Sequence, residues 1–343
     1  MTRDWVGAAL LLVLSACTKP PLVQQGQAFG TTVSVAIAGE EEPRARQAAM
    51  AVLTELEGLS KRWDPWQPSE LADLNAALAQ GSTPHSADPA LLAMLKEARK
   101  YESWSDGMFN LAQGRLTELW GFHAHPVTAA RPEEAEIKRL LTAAPSLQAL
   151  SIGDKVVFGN NAFLKLDLNR VARGWLLERE AQTLHGQDIG NALISIGGDS
   201  LALGRNGRSD WTVSLPHPRK AGAMATLELK DGETAVTVGD YQRHFELDGK
   251  RYSDLIDPRS GWPVSGMQAV TVVVPRASQA GLLAEAVTRP LLFGGVQTAA
   301  EYAKRFDVAD VLMIDMAGKV YATPGINKRL SWVGDKPEVQ AIP

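Results

Sequence analysis

Cysteine is almost missing from this chain: Cys17 is the single one among 343 residues. One thiol closes no internal disulfide, so the fold must be held by an apolar core, which the 45% hydrophobic content can supply. Clustered positive charge is lacking as well. Lys and Arg total 35 against 39 Asp and Glu, the net charge is -4, and no polybasic tract occurs, which excludes a nucleic-acid partner because phosphate affinity comes from grouped cations. There is no G-x-G-x-x-G and no G-x-x-x-x-G-K-[ST], so a bound nucleotide would need an architecture other than a Rossmann fold or a P-loop. A G-x-S-x-G elbow is absent too, and no second cysteine offers a thiol nucleophile. Of the histidines, His123 and His125 lie two apart, the wrong spacing for one helix face, and read as an exposed loop. His85, His185, His217 and His244 form no spaced cluster.

What is present begins with a targeting signal. Arg3 precedes an apolar run from Trp5 to Leu14 that is too short to span a bilayer, and the run ends in Leu14-Ser15-Ala16-Cys17. That ending resembles a bacterial lipobox, which implies lipidation at Cys17. The expected organisation is a lipoprotein signal peptide over 1–16, a lipid-anchored tether over 17–27 containing Pro20 and Pro21, and a single domain over 28–335. The expected location is the bacterial cell envelope on the extracytoplasmic (periplasmic) side, with the membrane reached through the lipid anchor only.

Strand and helix patterns then alternate. Thr31–Ile37 alternates as a strand, and residues from Pro43 to Leu59 carry apolar positions at helical spacing. Ser69 reads as the N-cap of a short helix through Leu74, and a further helix is predicted from Pro89 to Ser103. Pro132 and two glutamates open a helix to Leu141. Residues 147–168 read as strand, turn, strand about Gly159-Asn160-Asn161. A helix follows Asp167 and ends near Gly186, after which come strands at Ala192–Ile196, Leu201–Gly204, Trp211–Leu215, Ala225–Leu229, Ala235–Val238 and Ala269–Val274. Helices at Gln279–Leu292 and Gln297–Arg305 and strands at Val311–Asp315 and Val320–Ala322 complete the pattern. The fold class is α+β, with interleaved antiparallel or mixed β-sheets, flanking helices and one major cleft.

Some segments carry chemistry. The stretch from Gly239-Asp240-Tyr241-Gln242-Arg243 to Asp257-Pro258-Arg259-Ser260-Gly261 has the layout of a hairpin ending in a shaped polar loop that can hold a ligand. Gly197-Gly198-Asp199 follows an apolar strand and reads either as a plain turn or as a place where a ligand approaches the backbone. Asp167, between a strand and a helix, can orient a ligand or cap the helix. Nine tryptophans are many for this length, and indole faces can stack on a flat ring.

Taken in order, several blocks resemble the ApbE family of FAD:protein FMN transferases. They are Phe29-Gly30-Thr31; Asp64-Pro65 with Ser69-Glu70-Leu71 and Asn75; Asp106-Gly107-Met108-Phe109-Asn110 with Leu119-Trp120-Gly121-Phe122; Asp167 to Gly174; Ile196-Gly197-Gly198-Asp199; and the hairpin. The resemblance implies an ApbE-like, T-fold-like domain with an FAD cleft between sheets. It implies transfer of FMN from FAD, as substrate, to a Thr or Ser hydroxyl of an exported redox flavoprotein acceptor, releasing AMP. It also implies a Mg²⁺ ion that neutralises the pyrophosphate. The positions it brings to FAD are Phe29, Trp66, Met108, Phe109, Asn110, Asp167, Arg173, Gly197, Gly198, Tyr252 and Ile256. The backbone carbonyl of Arg170 falls at a metal-ligand position.

The chain departs from the family's pattern near its C-terminus. The family's metal-binding Asp and Thr align with Glu285 and Arg289, or with Gly281 and Glu285 if the register slips by one turn. Arginine has no lone pair for a cation, so the expectation is that Arg289 supplies part of the positive charge that Mg²⁺ usually gives. Arg173 stands where the family has Lys, Asn110 where it has Asp, Val238 where it has Ser, and Asp254 where it has His. Asp254 and Arg289 are therefore the candidates for the chemistry, with Glu285 as the remaining metal ligand. Two other readings stay open: a non-catalytic FAD-binding lipoprotein, and an FAD pyrophosphatase giving FMN and AMP.

Overall fold

A computed structural model describes residues 19–81, 85–168 and 170–342. Cys17, the lipobox and Asn169 lie outside the described residues. Among those described, the main sheet has nine strands. Their order is Leu22–Ala28, Thr31–Ile37, Ala192–Ile196, Asp199–Leu203, Thr234–Gly239, Met267–Val274, Asp310–Asp315, Val320–Ala322 and Val339–Ala341. Neighbours run antiparallel except the last pair, which is parallel. The α+β class with antiparallel and mixed sheets is thus the observed one.

The interior strand Met267–Val274 is buried at every position, which is why residues 270–274 form a continuous β-branched run rather than an alternation. One face of the sheet is covered by the helices Glu42–Arg62, Val171–His185 and Ala280–Gly294, whose apolar stripes form the main core with Val33, Val35, Ile194, Val236 and Val270. The other face carries a three-stranded sheet of Trp211–Pro216, Ala223–Leu229 and Leu330–Trp332. Trp211, Val213, Leu227 and Leu229 form a separate core there with Ala202, Ala235, Val273 and Leu312. A further cluster, built from Leu116, Trp120, Phe122, Ile137, Phe245, Tyr252 and Ile256, seats the two-stranded hairpin His244–Leu247 with Lys250–Ser253.

The structure corrects several expectations. Leu22–Ala28, all but its last residue expected within the tether, is the edge strand of the main sheet, paired along its length with Thr31–Ile37. Its half-buried positions Leu22, Gln24 and Gly26 include one large apolar residue, so no period of two was visible. The pairing is set by the turn instead: Phe29 and Gly30 have φ of 51° and 67°, the left-handed pair that a tight two-residue hairpin demands. The helix capped by Ser69 runs to Gln80 and ends at left-handed Gly81. Between 147 and 168 the strands are the short Ser151–Ile152 and Val156–Phe158, joined before Gly159. Gly159 serves close packing, since a Cβ there would lie 2.5 Å from Leu150 Cδ2.

The helices Val171–His185 and Ala280–Gly294 cross with their backbones in contact. A Cβ on Gly174 would sit 2.4 Å from the Gly281 carbonyl oxygen, and one on Gly281 only 1.9 Å from that of Gly174. Glycine at both positions lets the helices touch, which brings Arg170 and Arg173 beside Glu285 and Arg289.

Candidate functional site

A cavity of about 680 Å³ opens where the Phe29–Gly30 turn, the start of the Val171–His185 helix, the Ala280–Gly294 helix and the hairpin meet. That volume lies within the range of roughly 300–1,000 Å³ typical of small-molecule sites. Part of its lining is aromatic. Trp66 stands 5.6 Å from the ring of His123, and Lys165 Nζ lies 4.0 Å over the Trp66 ring. The Asp64 carboxylate accepts the Trp66 backbone N–H at 2.7 Å, fixing the loop that presents the indole.

Guanidinium groups also line it. Arg170 donates from Nε and Nη2 to the two oxygens of Asp254, both at 2.8 Å, and from Nη1 to Gln242 Oε1 at 2.8 Å. Gln242 is aimed by donating in turn to the Thr237 carbonyl at 3.0 Å. Burial works against the Arg170 charge, but the Asp254 carboxylate outweighs it and raises the Arg170 pKa. Arg173 donates from Nη2 to the Phe29 carbonyl at 2.8 Å, while its buried Nε has no hydrogen-bond partner. Burial, and then the neighbouring Arg170 charge, push the Arg173 pKa down. Gly197, at φ 64°, gives Arg173 its space, since a Cβ there would fall 2.8 Å from Arg173 Nη1.

Arg289 donates from Nη2 to Glu285 Oε2 at 3.0 Å, one helical turn away, and from Nη1 to Thr288 Oγ1 at 3.2 Å. The pair is deeply buried, with Glu285 2% and Arg289 8% exposed. Behind it Asp199 is buried, and burial followed by the Glu285 charge raise its carboxyl well above the usual range.

Of the expected positions, Phe29, Trp66, Phe109, Asn110, Asp167, Arg170, Arg173, Gly197, Asp254, Ile256 and Arg289 all line this one cavity. Four others do not, one of them Glu285, which is buried against Arg289. Met108 is 1% exposed in the main core, because the turn before it swings its side chain inward. Gly198 is exposed with nothing near its Cα direction. Tyr252 lies within the cluster under the hairpin, stacked on Trp120 at 5.4 Å and on Phe245 at 5.3 Å, so it supports the loop from outside the cavity lining. Asp167 is not the helix cap, since the N-cap is Arg170, without a side-chain cap bond. His123 and His125 also line the cavity, although their spacing had argued only for a loop. Their signal lay in the neighbouring Trp120 and Phe122, which anchor that loop in the cluster beneath the hairpin. Gln242 and Arg243 were in view as hairpin residues, but their side-chain roles were not readable.

The expected metal ligands do not fit a divalent cation. Glu285 already accepts from Arg289, and the Arg170 carbonyl accepts the Arg173 N–H at 3.2 Å. Arg289 has donors and no lone pair. A dication about 4 Å from a guanidinium would be repelled by roughly 8 kcal/mol at an effective dielectric of about 20, twice the value for two unit charges. Among the described residues, no group of three or more His, Cys, Asp or Glu is placed to hold a metal ion.

A family model described as the ApbE family matches residues 29–313. The chain belongs to the ApbE family. Curated relatives include the FAD:protein FMN transferase of Rhodobacter capsulatus, 32% identical over 314 residues, which cover 92% of this chain and 59% of that protein. A second, from Klebsiella pneumoniae, is 34% identical over 210 residues, 60% of this chain and 63% of the relative. The chain thus spans under two thirds of the length of these two relatives. Against the FAD:protein FMN transferase of Vibrio cholerae the identity is 27% over 342 residues, 96% of this chain and 99% of the relative. The ApbE protein of Thermotoga maritima superposes with a TM-score of 0.80 at 24% identity, covering 90% of this chain and 99% of that one. This shows the shared fold.

Proposed function

We propose that the chain transfers FMN from FAD to a Thr or Ser hydroxyl of an exported flavoprotein, with AMP as the leaving group. The observation that supports this most is the cavity itself, which joins an aromatic wall suited to a flat ring to a guanidinium cluster suited to phosphates. The ApbE membership of the chain and the names of its relatives agree with it.

In this reading the acceptor hydroxyl oxygen attacks the phosphorus on the flavin side of the anhydride. A new P–O bond forms, the bond to the bridging oxygen breaks, and AMP departs with that oxygen. Arginine side chains orient the two phosphates and offset their charge, so that an oxygen nucleophile can approach in line. Asp254 takes the hydroxyl proton. Both of its oxygens accept from Arg170 in the free protein, so it becomes a base as Arg170 turns toward phosphate. Divalent-cation assistance, which the family resemblance implies, forms no step here because the ligands do not fit.

The same Asp254–Arg170 lock favours a second reading, a flavin-binding protein without transferase activity. Incubating the protein with FAD, with and without a Thr-containing acceptor peptide, separates the possibilities. Flavin-labelled peptide with free AMP is the expected result. Bound, unchanged FAD would support the non-catalytic reading, and FMN with AMP in the absence of labelled peptide would mean that water is the nucleophile.

We also propose a lipid-anchored, extracytoplasmic location, from the lipobox-like Leu14-Ser15-Ala16-Cys17. No helix among the described residues is long and apolar enough to cross a membrane. Metabolic labelling with a tagged fatty acid, lost in Cys17→Ala, tests the anchor.

A further inference from the structure

Two ion pairs hold arginines of the cavity wall, one through both carboxylate oxygens and one through a single oxygen. Asp254 engages Arg170 through both carboxylate oxygens, and Glu285 engages Arg289 while Thr288 takes its other nitrogen. Both arginines line the cavity, as does Arg173, whose buried Nε bonds to nothing. A two-oxygen fork on a guanidinium is also the geometry of a phosphate on a guanidinium. The carboxylates therefore occupy the nitrogens that a phosphate would use.

Resting on the flavin-nucleotide reading above, we propose that this cleft holds its phosphoanhydride through Arg173, Arg289 and Arg170 without a divalent cation. Glu285 and Asp254 act as competitors that hold the arginines in the free protein and yield them to phosphate. Glu285 is then the opposite of a metal ligand: it opposes ligand binding. Arg173, with its unpartnered nitrogen, is the first point of contact. The carboxylates keep the like-charged guanidinium groups together while the cleft is free, since buried cations this close would otherwise repel.

The test measures binding of FAD and of inorganic pyrophosphate to the full chain by calorimetry, in EDTA and in excess Mg²⁺, for the wild type, Arg289→Gln, Arg289→Lys and Glu285→Gln. The proposal expects equal FAD affinity in EDTA and Mg²⁺. Arg289→Gln should weaken FAD by roughly tenfold to a hundredfold, as expected for one charge-assisted contact, and leave riboflavin binding unchanged. Arg289→Lys, which retains the charge but not the fork, should fall between, and it guards against a folding defect in the glutamine variant. Glu285→Gln should tighten FAD and pyrophosphate several-fold, since Arg289 no longer has a charged competitor. Weaker binding in Glu285→Gln, or wild-type binding that requires Mg²⁺, would overturn the proposal. Pyrophosphate binding in EDTA without FAD binding would leave the arginine site standing and remove the flavin reading. Failure of both ligands to bind in any buffer would remove both.

Discussion

Replacing Gly174 by alanine tests whether the helix crossing at Gly174 and Gly281 builds the site. Helix propensity alone predicts stabilisation by up to about 1 kcal/mol, because alanine fits a helix interior better than glycine. The structure predicts the reverse. The new methyl would lie 2.4 Å from the Gly281 carbonyl oxygen and 2.9 Å from Glu285 Cγ, whereas an ordinary carbon–oxygen contact needs about 3.3 Å. The helices would have to part by roughly 1 Å, and the nearest obstacle is backbone with no rotamer to yield. Overpacking of this kind costs about 1–3 kcal/mol, so the clash outweighs the propensity gain and the variant should melt a few degrees lower. Gly281→Ala, with its methyl 1.9 Å from the Gly174 oxygen, should be worse. The matched control is Gly58→Ala, in the exposed face of the Glu42–Arg62 helix, where a Cβ meets nothing within 4 Å and propensity acts alone. It should melt at or above the wild type. Parting the helices also moves Arg170 and Arg173 away from Glu285 and Arg289, and a displacement of about 1 Å at a reacting centre can cost on the order of a hundredfold in rate. Thermal melts and flavin-transfer assays on the three variants suffice. A Gly174→Ala protein that gains stability as Gly58→Ala does would refute the reasoning.

Other outcomes follow from single residues. Glu180 is fully buried with neither carboxylate oxygen hydrogen-bonded, and burial, then Glu55, push its pKa to about 8 from 4.5. A raised carboxyl binds more protons in the folded state, so stability falls as pH rises between these two values, by about 5 kcal/mol in all at roughly 1.4 kcal/mol per unit. Glu180→Gln should flatten that decline in urea melts at pH 5 and 8, and an unchanged slope would show that Glu180 is not its source. Asp254→Asn should lower flavin transfer by about 10²–10⁴-fold while FAD binding persists, the signature of a lost proton acceptor; loss of binding instead would make Asp254 structural. Trp66→Ala removes the indole from the aromatic wall and should weaken FAD by roughly tenfold, near the low end of ring stacking at about 1–3 kcal/mol. Equal affinity by fluorescence titration would place the flat ring elsewhere.

Much of the fold was legible because period and turn chemistry are local. Thr31–Ile37 and Ala192–Ile196 alternate and are strands at those bounds, and Ser69 caps its helix by accepting the Ala72 N–H at 3.0 Å. Leu22–Ala28 escaped notice because an edge strand can be specified by its partner and its turn, with little pattern of its own. Leu330–Trp332 escaped for the same reason, being held by pairing with Ala225–Leu227. At the site, the ordered blocks foretold most of the cavity wall. Met108 and Tyr252 lie outside the cavity lining because a motif position does not say which way a side chain turns, and here both turn into apolar clusters.

The sequence by itself determined the fold class, the ApbE resemblance and the segments that meet at the cleft. It also marked Asp254, Glu285 and Arg289 as departures from the family pattern. Only the tertiary structure decided what those departures do to one another. Arg170 meets Asp254 across 84 residues of chain, and the two helices carrying Arg173 and Arg289 meet because glycine faces glycine at their crossing. Charge partnership depends on distances of a few ångströms between segments far apart in the chain, and no local pattern encodes such distances.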